Sequence, residues 1–254
     1  MFLGVSFVQK ERYHLLDSIR AFALLNMIAY HAMYDIVYIF GVKIKWYMSP
    51  ASDVWQQCIC WTFILLSGFC CQLGHKKLRR ALLVLGGSVV ITLVTYFFMP
   101  SEIVKFGVLS LLGTGMLLMI PLDYVYKKIN PYLGFAIMFA LFLMLKNVNH
   151  GGIGIGSTWF TIPRSFYIND FTAYLGFPPF NFRSSDYFPV LPWIFLYQAG
   201  YFLFGIFKHL DLLKYLKSPR IKPLEWIGRH SLIIYMLHQP VAYGILWVIF
   251  NIIK

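Results

Sequence analysis

The sequence predicts an all-α fold, a polytopic membrane bundle of about seven transmembrane helices. Of the 254 residues, 59% are hydrophobic and 13% are charged, whereas soluble domains carry about 25% charged residues. Several apolar stretches approach or exceed the ~20 residues that a helix needs to cross the hydrocarbon core. The 24 Phe, 17 Tyr and 7 Trp suit the interfacial belts and the packed interior of such a bundle.

We predict seven spans and treat the chain as one transmembrane domain, residues 1–254. The fifth span is short, so its nature stays open. A segment at about 147–188 is rich in Gly, Asn, Ser and aromatic residues, and loops of that length are usually functional when they are not disordered. Its "GGIGIG" run lacks the Lys-Ser/Thr of a phosphate-binding loop and is interpreted as turn glycine. The predicted spans are 18–40, 52–73, 80–99, 105–122, 131–146, 189–207 and 226–251.

Basic residues concentrate in two short loops, which predicts the orientation of the chain. The loop 74–80 holds four of them, and the loop 208–222 holds five against the single acid Asp211. The positive-inside rule puts both loops in the cytoplasm, with four spans between them. The amino terminus is then cytoplasmic and the carboxyl terminus external, in a plasma membrane of bacterial type. The net charge of +12 is interpreted as orientation and attraction to anionic lipid, not as nucleic-acid binding.

The four cysteines lie within the second predicted span, at residues 58, 60, 70 and 71. Neither a disulfide framework nor a zinc site is expected, because the spacing and the loop context that either would need are absent. We interpret these cysteines as packing residues and expect no metal ion in the function.

The first span carries ionisable residues that lipid disfavours. Arg20 and His31 are eleven residues apart, so helical geometry puts them within ~20° of one face. His31 and Asp35 form an i,i+4 pair, and Asp17 and Arg20 form an i,i+3 pair. Asp17 could instead cap the helix, and Arg20 could extend to the interface. A histidine as deep as His31 indicates a functional site facing the bundle interior, with a hydrogen-bonded core histidine as the alternative.

Two further segments place polar residues at the membrane. His238 lies inside the final span and is followed by Gln239 and Pro240. We expect Pro240 to break the helix and to free backbone carbonyls beside His238, the alternative being a proline kink with a packed histidine. Asp186 precedes the sixth span on its outer side. It either caps that helix or binds a polar substrate, and the sequence leaves both open.

Three stretches together resemble the heparan-α-glucosaminide N-acetyltransferase catalytic-domain family. They are "LLDSIRAFALLNMIAYHAMYDI", "SSDYFPVLPWIFLYQAGYFLFGI" and "LEWIGRHSLIIYMLHQP", and they occur in the order of the family. The spacing of Arg20 and His31 is also similar to the arginine–histidine motif of the acyltransferase-3 membrane proteins. The resemblance implies transfer of an acetyl group from cytoplasmic acetyl-CoA to a sugar amine or hydroxyl on the other side of the membrane.

The resemblance and the chemistry of the residues define the expected site. We expect the phosphates of acetyl-CoA near Arg20 and the basic loop, and we expect His31, oriented by Asp35 or another carboxylate, to take the proton of the acceptor. His238 or a backbone amide near Pro240 would stabilise the oxyanion. The expected catalytic residues are His31, Asp35, His238 and Asp186, and the expected donor-binding residues are Asp17, Arg20, Lys76, Lys77, Arg79, Arg80 and Gln239.

The sequence leaves two other functions open. A transporter or flippase would use the same buried His and Asp groups as a proton or substrate track, although the chain shows no internal repeat of the kind that many transporters have. A structural membrane subunit would tolerate alanine at His31, Asp35 and His238. The expected partners are acetyl-CoA, a carbohydrate or glycan acceptor and membrane lipid, and a homodimer is left open.

Overall fold

The computed structural model describes residues 12–252, which form a bundle of long helices. Six of them are long and apolar enough to cross a membrane. The predicted all-α bundle is therefore confirmed, and the chain is a multi-pass membrane protein. The helices of the described residues are α1 (His14–Tyr34), α2 (Pro50–Cys70), α3 (Lys77–Phe98), α4 (Val108–Tyr126), α5 (Pro131–Leu145), α6 (Asp170–Leu175), α7 (Val190–His209), α8 (Lys222–Arg229) and α9 (Ser231–Asn251).

Helix α2, which corresponds to the predicted second span, has no stretch of 18 residues as apolar as those in the six candidate spans. Asp53, Gln56 and Gln57 lie in its first half and lower its mean hydropathy. It is not among the six helices that qualify as spans by themselves, but it packs extensively against α7. Helix α5 is short, as predicted, and a 3-10 turn at Val148–His150 follows it.

The predicted final span, 226–251, is divided into two helices. α8 ends at Arg229, and His230 has the dihedral angles φ −98° and ψ 16° before α9 begins at Ser231. α9 then continues through Pro240 to its end, so the predicted helix break at that residue is wrong. A proline removes one amide donor from the helix, and membrane helices tolerate this loss when neighbouring groups adjust around it.

Two glycines bring α2 and α7 into backbone contact. A Cβ atom on Gly68 would overlap the carbonyl group of Tyr197, and a Cβ atom on Gly200 would overlap that of Leu65. Small residues at such crossings let membrane helices approach closely, so that van der Waals packing holds them together. The buried core near this crossing includes Ile64, Leu111, Met119, Phe142, Leu196 and Phe202.

The segment between α5 and α7 contains short regular elements that the sequence did not indicate. Strands β1 (Gly152–Ile153) and β2 (Phe160–Thr161) pair antiparallel in a two-stranded sheet, and α6 follows them. Gly154 and Gly156 of the "GGIGIG" run have φ angles of +155° and +74°. Only glycine adopts such angles readily, which agrees with the prediction of turn glycine.

A buried glutamate joins the start of α1 to α8. Glu225 is 3% exposed, and its carboxylate lies 3.1 Å from His14 Nδ1 and 3.0 Å from Arg220 Nε. Arg12 Nε lies 3.7 Å from the same carboxylate, and Arg229 forms an ion pair with it. These contacts neutralise the buried charge and fix the amino-terminal end of α1 against α8.

We expect Glu225→Gln to lower the free energy of unfolding by about 1–3 kcal/mol, because several cationic groups lose a buried, charged hydrogen-bond acceptor. The measurement is the thermal melting temperature in detergent micelles. The control is Asp211→Asn, since the Asp211 side chain is 78% exposed and pairs with Lys214, and exposed pairs contribute about 0–1 kcal/mol. Equal melting temperatures for the two variants would contradict the prediction.

Candidate active site

Polar side chains of α9 meet α1 and the segment before α7 in one place, which we call the polar cluster. The rings of His31 and His238 have their centroids 5.1 Å apart. Gln239 Nε2 donates a hydrogen bond to Asp35 Oδ1 at 2.9 Å. The fold thus brings together predicted residues from the two ends of the chain. The members of the polar cluster are His31, Asp35, Asp186, Tyr235, His238 and Gln239.

The hydrogen bonding of His238 defines its tautomer. Its Nδ1 atom lies 2.5 Å from the carbonyl oxygen of Tyr235. Because a carbonyl oxygen can only accept, Nδ1 carries the proton and Nε2 carries the lone pair. Nε2 is buried and has no hydrogen-bond partner within residues 12–252. Neutral His238 is therefore an acceptor at Nε2, and the predicted role as an oxyanion donor would require both of its ring nitrogens to be protonated.

Asp35 contacts α9 and does not orient His31 as the i,i+4 spacing predicted. α1 continues at Asp35 into a π-helical turn, Asp35–Ile39, and the carboxylate accepts its hydrogen bond from Gln239. Asp35 is fully buried, and its Oδ2 atom has no hydrogen-bond partner in the part of the chain that the structure describes. Short π-helical turns occur frequently at functional sites.

Asp186 caps a helix, but not the one that the sequence indicated. Its Oδ2 atom accepts from the backbone N–H of Val108 at 3.2 Å, at the start of α4, whereas Pro189 precedes α7. A Cβ atom on Gly107 would lie 2.5 Å from the same oxygen, so glycine leaves room for the carboxylate. Desolvation raises the pKa of Asp186, while hydrogen bonds from Val108 and from Tyr235 Oη (3.3 Å) oppose that shift.

A cleft of about 640 Å³, which we call the basic cleft, opens where α1 and α3 begin and α2 ends. Charged side chains line its mouth, apolar side chains line its walls, and Tyr235 lies at its inner part. The basic cleft therefore reaches the polar cluster. Its charged lining residues are Arg12, Asp17, Arg20, Lys77, Arg80 and Arg229, and its apolar ones include Leu66, Leu109, Leu112 and Met116.

The cationic groups of the basic cleft differ in how they are held. Arg20 donates to Asp17 Oδ1 at 3.0 Å and to Cys70 Sγ at 3.3 Å, so its guanidinium is fixed in place. Lys77 Nζ lies 3.2 Å from Asp123 Oδ2. Arg80 lines the cleft without an ion pair to any residue in the range 12–252. The cleft thus offers an anion both fixed and available positive charges.

The structure places Lys76 and Arg79 outside the lining of the basic cleft, on the exposed surface. Conversely, Arg12 and Arg229 line the cleft, although the sequence did not mark them as donor-binding residues. The signal that could have found Arg229 is its i,i+4 spacing from Glu225 beside a membrane span.

Tyr235 is the member of the polar cluster that sequence reasoning missed. It lies three residues before His238, so both are on neighbouring faces of α9. The spacing is visible in the sequence. However, a tyrosine in an apolar span gives no indication of which residue its hydroxyl group contacts. Its importance follows from contacts with Asp186 and with the basic cleft.

A second cavity, of about 1120 Å³, lies at the opposite end of the bundle. We call it the aromatic cavity. It is bounded by the end of α1, the turn after α3 and the segment between α5 and α7. Ser185 and Tyr187, the two neighbours of Asp186, line it, so the two cavities approach the polar cluster from opposite ends. Its lining includes Tyr34, Glu102, Arg164, Tyr167, Phe182 and Arg183.

Comparison with known families gives a match over most of the chain. The family model described as the catalytic region of heparan-alpha-glucosaminide N-acetyltransferase matches residues 12–240. The match includes the whole polar cluster and the charged residues of the basic cleft. No curated protein and no solved structure matches the chain. The chain belongs to the heparan-alpha-glucosaminide N-acetyltransferase catalytic-domain family and is an acyltransferase-like membrane enzyme.

Proposed function

We propose that the chain transfers an acetyl group from acetyl-CoA, bound in the basic cleft, to a sugar amine or hydroxyl at the opposite end of the bundle. The observation that carries this proposal is the basic cleft, which begins among cationic side chains and ends at Tyr235 of the polar cluster. In this proposal the cleft opens to the cytoplasm, together with the amino terminus. The carboxyl terminus and the segment at about 147–188 are external, and residues 1–254 act as one domain.

The shape and charge of the basic cleft suit CoA. The nucleotide end of CoA is polyanionic, and a guanidinium group binds phosphate oxygens through a charged, planar fork. Arg20, Arg80 and Arg229 at the mouth carry such groups. The pantetheine arm has room to pack against the apolar wall that includes Leu109 and Met116. The thioester at the end of this arm would then lie near Tyr235.

The polar cluster supplies the base that the transfer requires. His31 takes the proton of the acceptor as its nitrogen or oxygen attacks the thioester carbonyl carbon. The C–S bond then breaks, the acetyl group stays on the acceptor, and CoA leaves as a thiolate that the His31 imidazolium protonates. The neutral ring of His238 lies beside His31, with the ring centroids 5.1 Å apart, and so forms part of the wall around the base. Direct transfer and an acetyl-histidine intermediate both fit this arrangement.

The test of this function uses the purified protein in nanodiscs with acetyl-CoA and a panel of sugars. We expect micromolar acetyl-CoA to raise the thermal melting temperature, and we expect release of free CoA thiol that depends on the added sugar. A transporter or flippase would move a solute across the bilayer without consuming the thioester. Absence of both the stabilisation and the sugar-dependent thiol release would refute the proposal.

We expect Arg80→Gln to raise the KM for acetyl-CoA about tenfold with kcat nearly unchanged. A phosphate contact that contributes the same binding free energy in the ground state and in the transition state changes KM and leaves kcat unaltered. A charged hydrogen bond of this kind contributes about 1.5–3 kcal/mol. The measurement is the initial rate of thiol release as acetyl-CoA is varied. The control is Lys128→Gln, which removes one positive charge from an exposed position after α4. An equal rise of KM in the control would exclude a specific phosphate contact for Arg80.

A further inference from the structure

The aromatic cavity carries two cationic side chains without a partner in the part of the chain that the structure describes. Arg164 and Arg183 line it, and neither guanidinium group forms a hydrogen bond or ion pair with the described residues, 12–252. Lys105, in contrast, is held at 2.9 Å by Asp170. Guanidinium groups that no carboxylate neutralises are free to bind an anion that enters the cavity.

Glu102 gives the aromatic cavity an acidic side. It is the one acid among the described lining residues, and its carboxylate lies 3.5 Å from Tyr34 Oη. Tyr34 follows His31 by three residues in α1, so the two are neighbours on the helix surface. Ser185 Oγ also donates to the carbonyl oxygen of Glu102 at 2.9 Å, next to Asp186. The acidic side therefore lies toward the polar cluster.

The aromatic rings of Phe182 and Tyr187 line this cavity. Their ring centroids are 4.9 Å apart, and the ring planes are tilted by 55° to each other. Phe106, which does not line the cavity, stacks on Phe182 with an angle of 4° between the ring planes and supports it from behind. The C–H faces of a pyranose ring can pack against such rings while its hydroxyl groups reach polar side chains at the edges. Ligand sites commonly combine apolar walls with a few charged groups that fix orientation.

We propose that the aromatic cavity is the acceptor site and that it selects a saccharide with a phosphate or carboxylate group, which Arg164 and Arg183 bind. This inference rests on the proposed function and adds the charge of the acceptor. The sugar ring packs against Phe182 and Tyr187, and the accepting amine or hydroxyl points toward Tyr34. The phosphate of a water-soluble sugar and that of a lipid head group share this anionic chemistry.

The experiment is a calorimetric titration of the protein, in phosphatidylcholine nanodiscs with saturating CoA, with glucosamine and with glucosamine 6-phosphate. We expect the wild type to bind the phosphorylated sugar about tenfold or more tightly, the factor expected for a charge-assisted hydrogen bond. The double variant Arg164→Gln/Arg183→Gln should lose this preference. The control Lys43→Gln/Lys45→Gln removes the same charge from the exposed loop after α1, at the same end of the bundle, and should keep it.

Equal affinity of the wild type for the two sugars, or an unchanged preference in the arginine variant, would overturn the inference. Titration in nanodiscs that contain phosphatidylglycerol separates the two phosphate sources. A preference that persists there supports the saccharide, whereas one that the anionic lipid abolishes assigns the arginines to a head group and overturns it. Thermal stabilisation by acetyl-CoA is measured in the same nanodiscs before CoA is added. Stabilisation by acetyl-CoA without a preference for the phosphorylated sugar would refute this inference alone. A preference for the phosphorylated sugar without stabilisation by acetyl-CoA would refute the proposed function.

Discussion

Replacement of His31 by alanine is expected to lower the rate of acetyl transfer by about 100- to 10,000-fold, the range that loss of a general base produces. Acetyl-CoA should still raise the melting temperature of this variant, as is expected for the wild type, because His31 does not line the basic cleft. The rate is measured by thiol release in the presence of an acceptor sugar, and donor binding by the thermal shift.

The matched control is His209→Ala, which removes a histidine at the end of α7 whose Nδ1 lies 3.1 Å from Tyr132 Oη. Full activity is expected there, because His209 is outside both cavities. His238→Ala separates the two histidines of the polar cluster. A His31→Ala enzyme that works at the wild-type rate would remove His31 from the mechanism. If His238→Ala were then inactive, the role of base would belong to His238.

Replacement of Gly200 by valine is expected to separate α2 from α7 and to leave little folded protein. The new side chain would overlap the backbone carbonyl of Leu65, which cannot rotate away as a side chain can. Overpacking of a core costs about 1–3 kcal/mol, and more where backbones must move. Gly68→Val should have a comparable effect through the carbonyl of Tyr197. The measurements are the monodisperse fraction on size-exclusion chromatography and the thermal melting temperature.

The control for these glycine variants is Gly244→Ala in α9, where an added Cβ atom would meet no atom within 4 Å. Alanine is favoured over glycine in a helix by about 1 kcal/mol, so this variant should be as stable as the wild type or slightly more stable. A Gly200→Val protein that melts with the wild type would show that α2 and α7 do not approach as closely as the structure indicates.

The membrane bundle could be predicted from the sequence because it depends on apolar length, which a chain shows locally. The predicted spans correspond to the seven long helices α1 to α5, α7 and α9 with shifts of a few residues at most ends. The final span was predicted to begin too early, because α8 ends at Arg229 and His230 separates it from α9. Polar residues at this position could end one helix or simply extend it, and the sequence alone does not distinguish the two cases.

The contacts between spans could not be predicted, because spacing rules describe neighbours on one helix. The partner of Asp35 is Gln239, 204 residues away, instead of His31 at i−4. Asp186 caps a helix that begins 78 residues earlier, at Val108. Both contacts depend on how helices pack side by side. That arrangement is set by features such as the glycine crossing of α2 and α7, which no local pattern specifies.

The charge of the cleft was predictable, but its individual residues were not. The basic loop indicated an anion-binding end, yet Arg80 lines the cleft while Arg79 does not. Successive residues of a helix point about 100° apart, so the rotation of α3 decides which arginine faces inward. That rotation follows from tertiary packing, and the count of positive charges contains no information about it.

The hydrogen bond between Tyr235 and Asp186 has a consequence for the electrical resistance of the membrane. Tyr235 faces the basic cleft, and the neighbours of Asp186 face the aromatic cavity, so this bond lies between the two. A continuous column of water between the two cavities would let ions leak through the protein and would dissipate the ion gradients across the bilayer. In the proposed function, a neutral acetyl group crosses this barrier, while polyanionic CoA and the charged sugar stay on opposite sides of it. The same hydrogen bond would then keep ions from passing between the two cavities while the proposed transfer takes place.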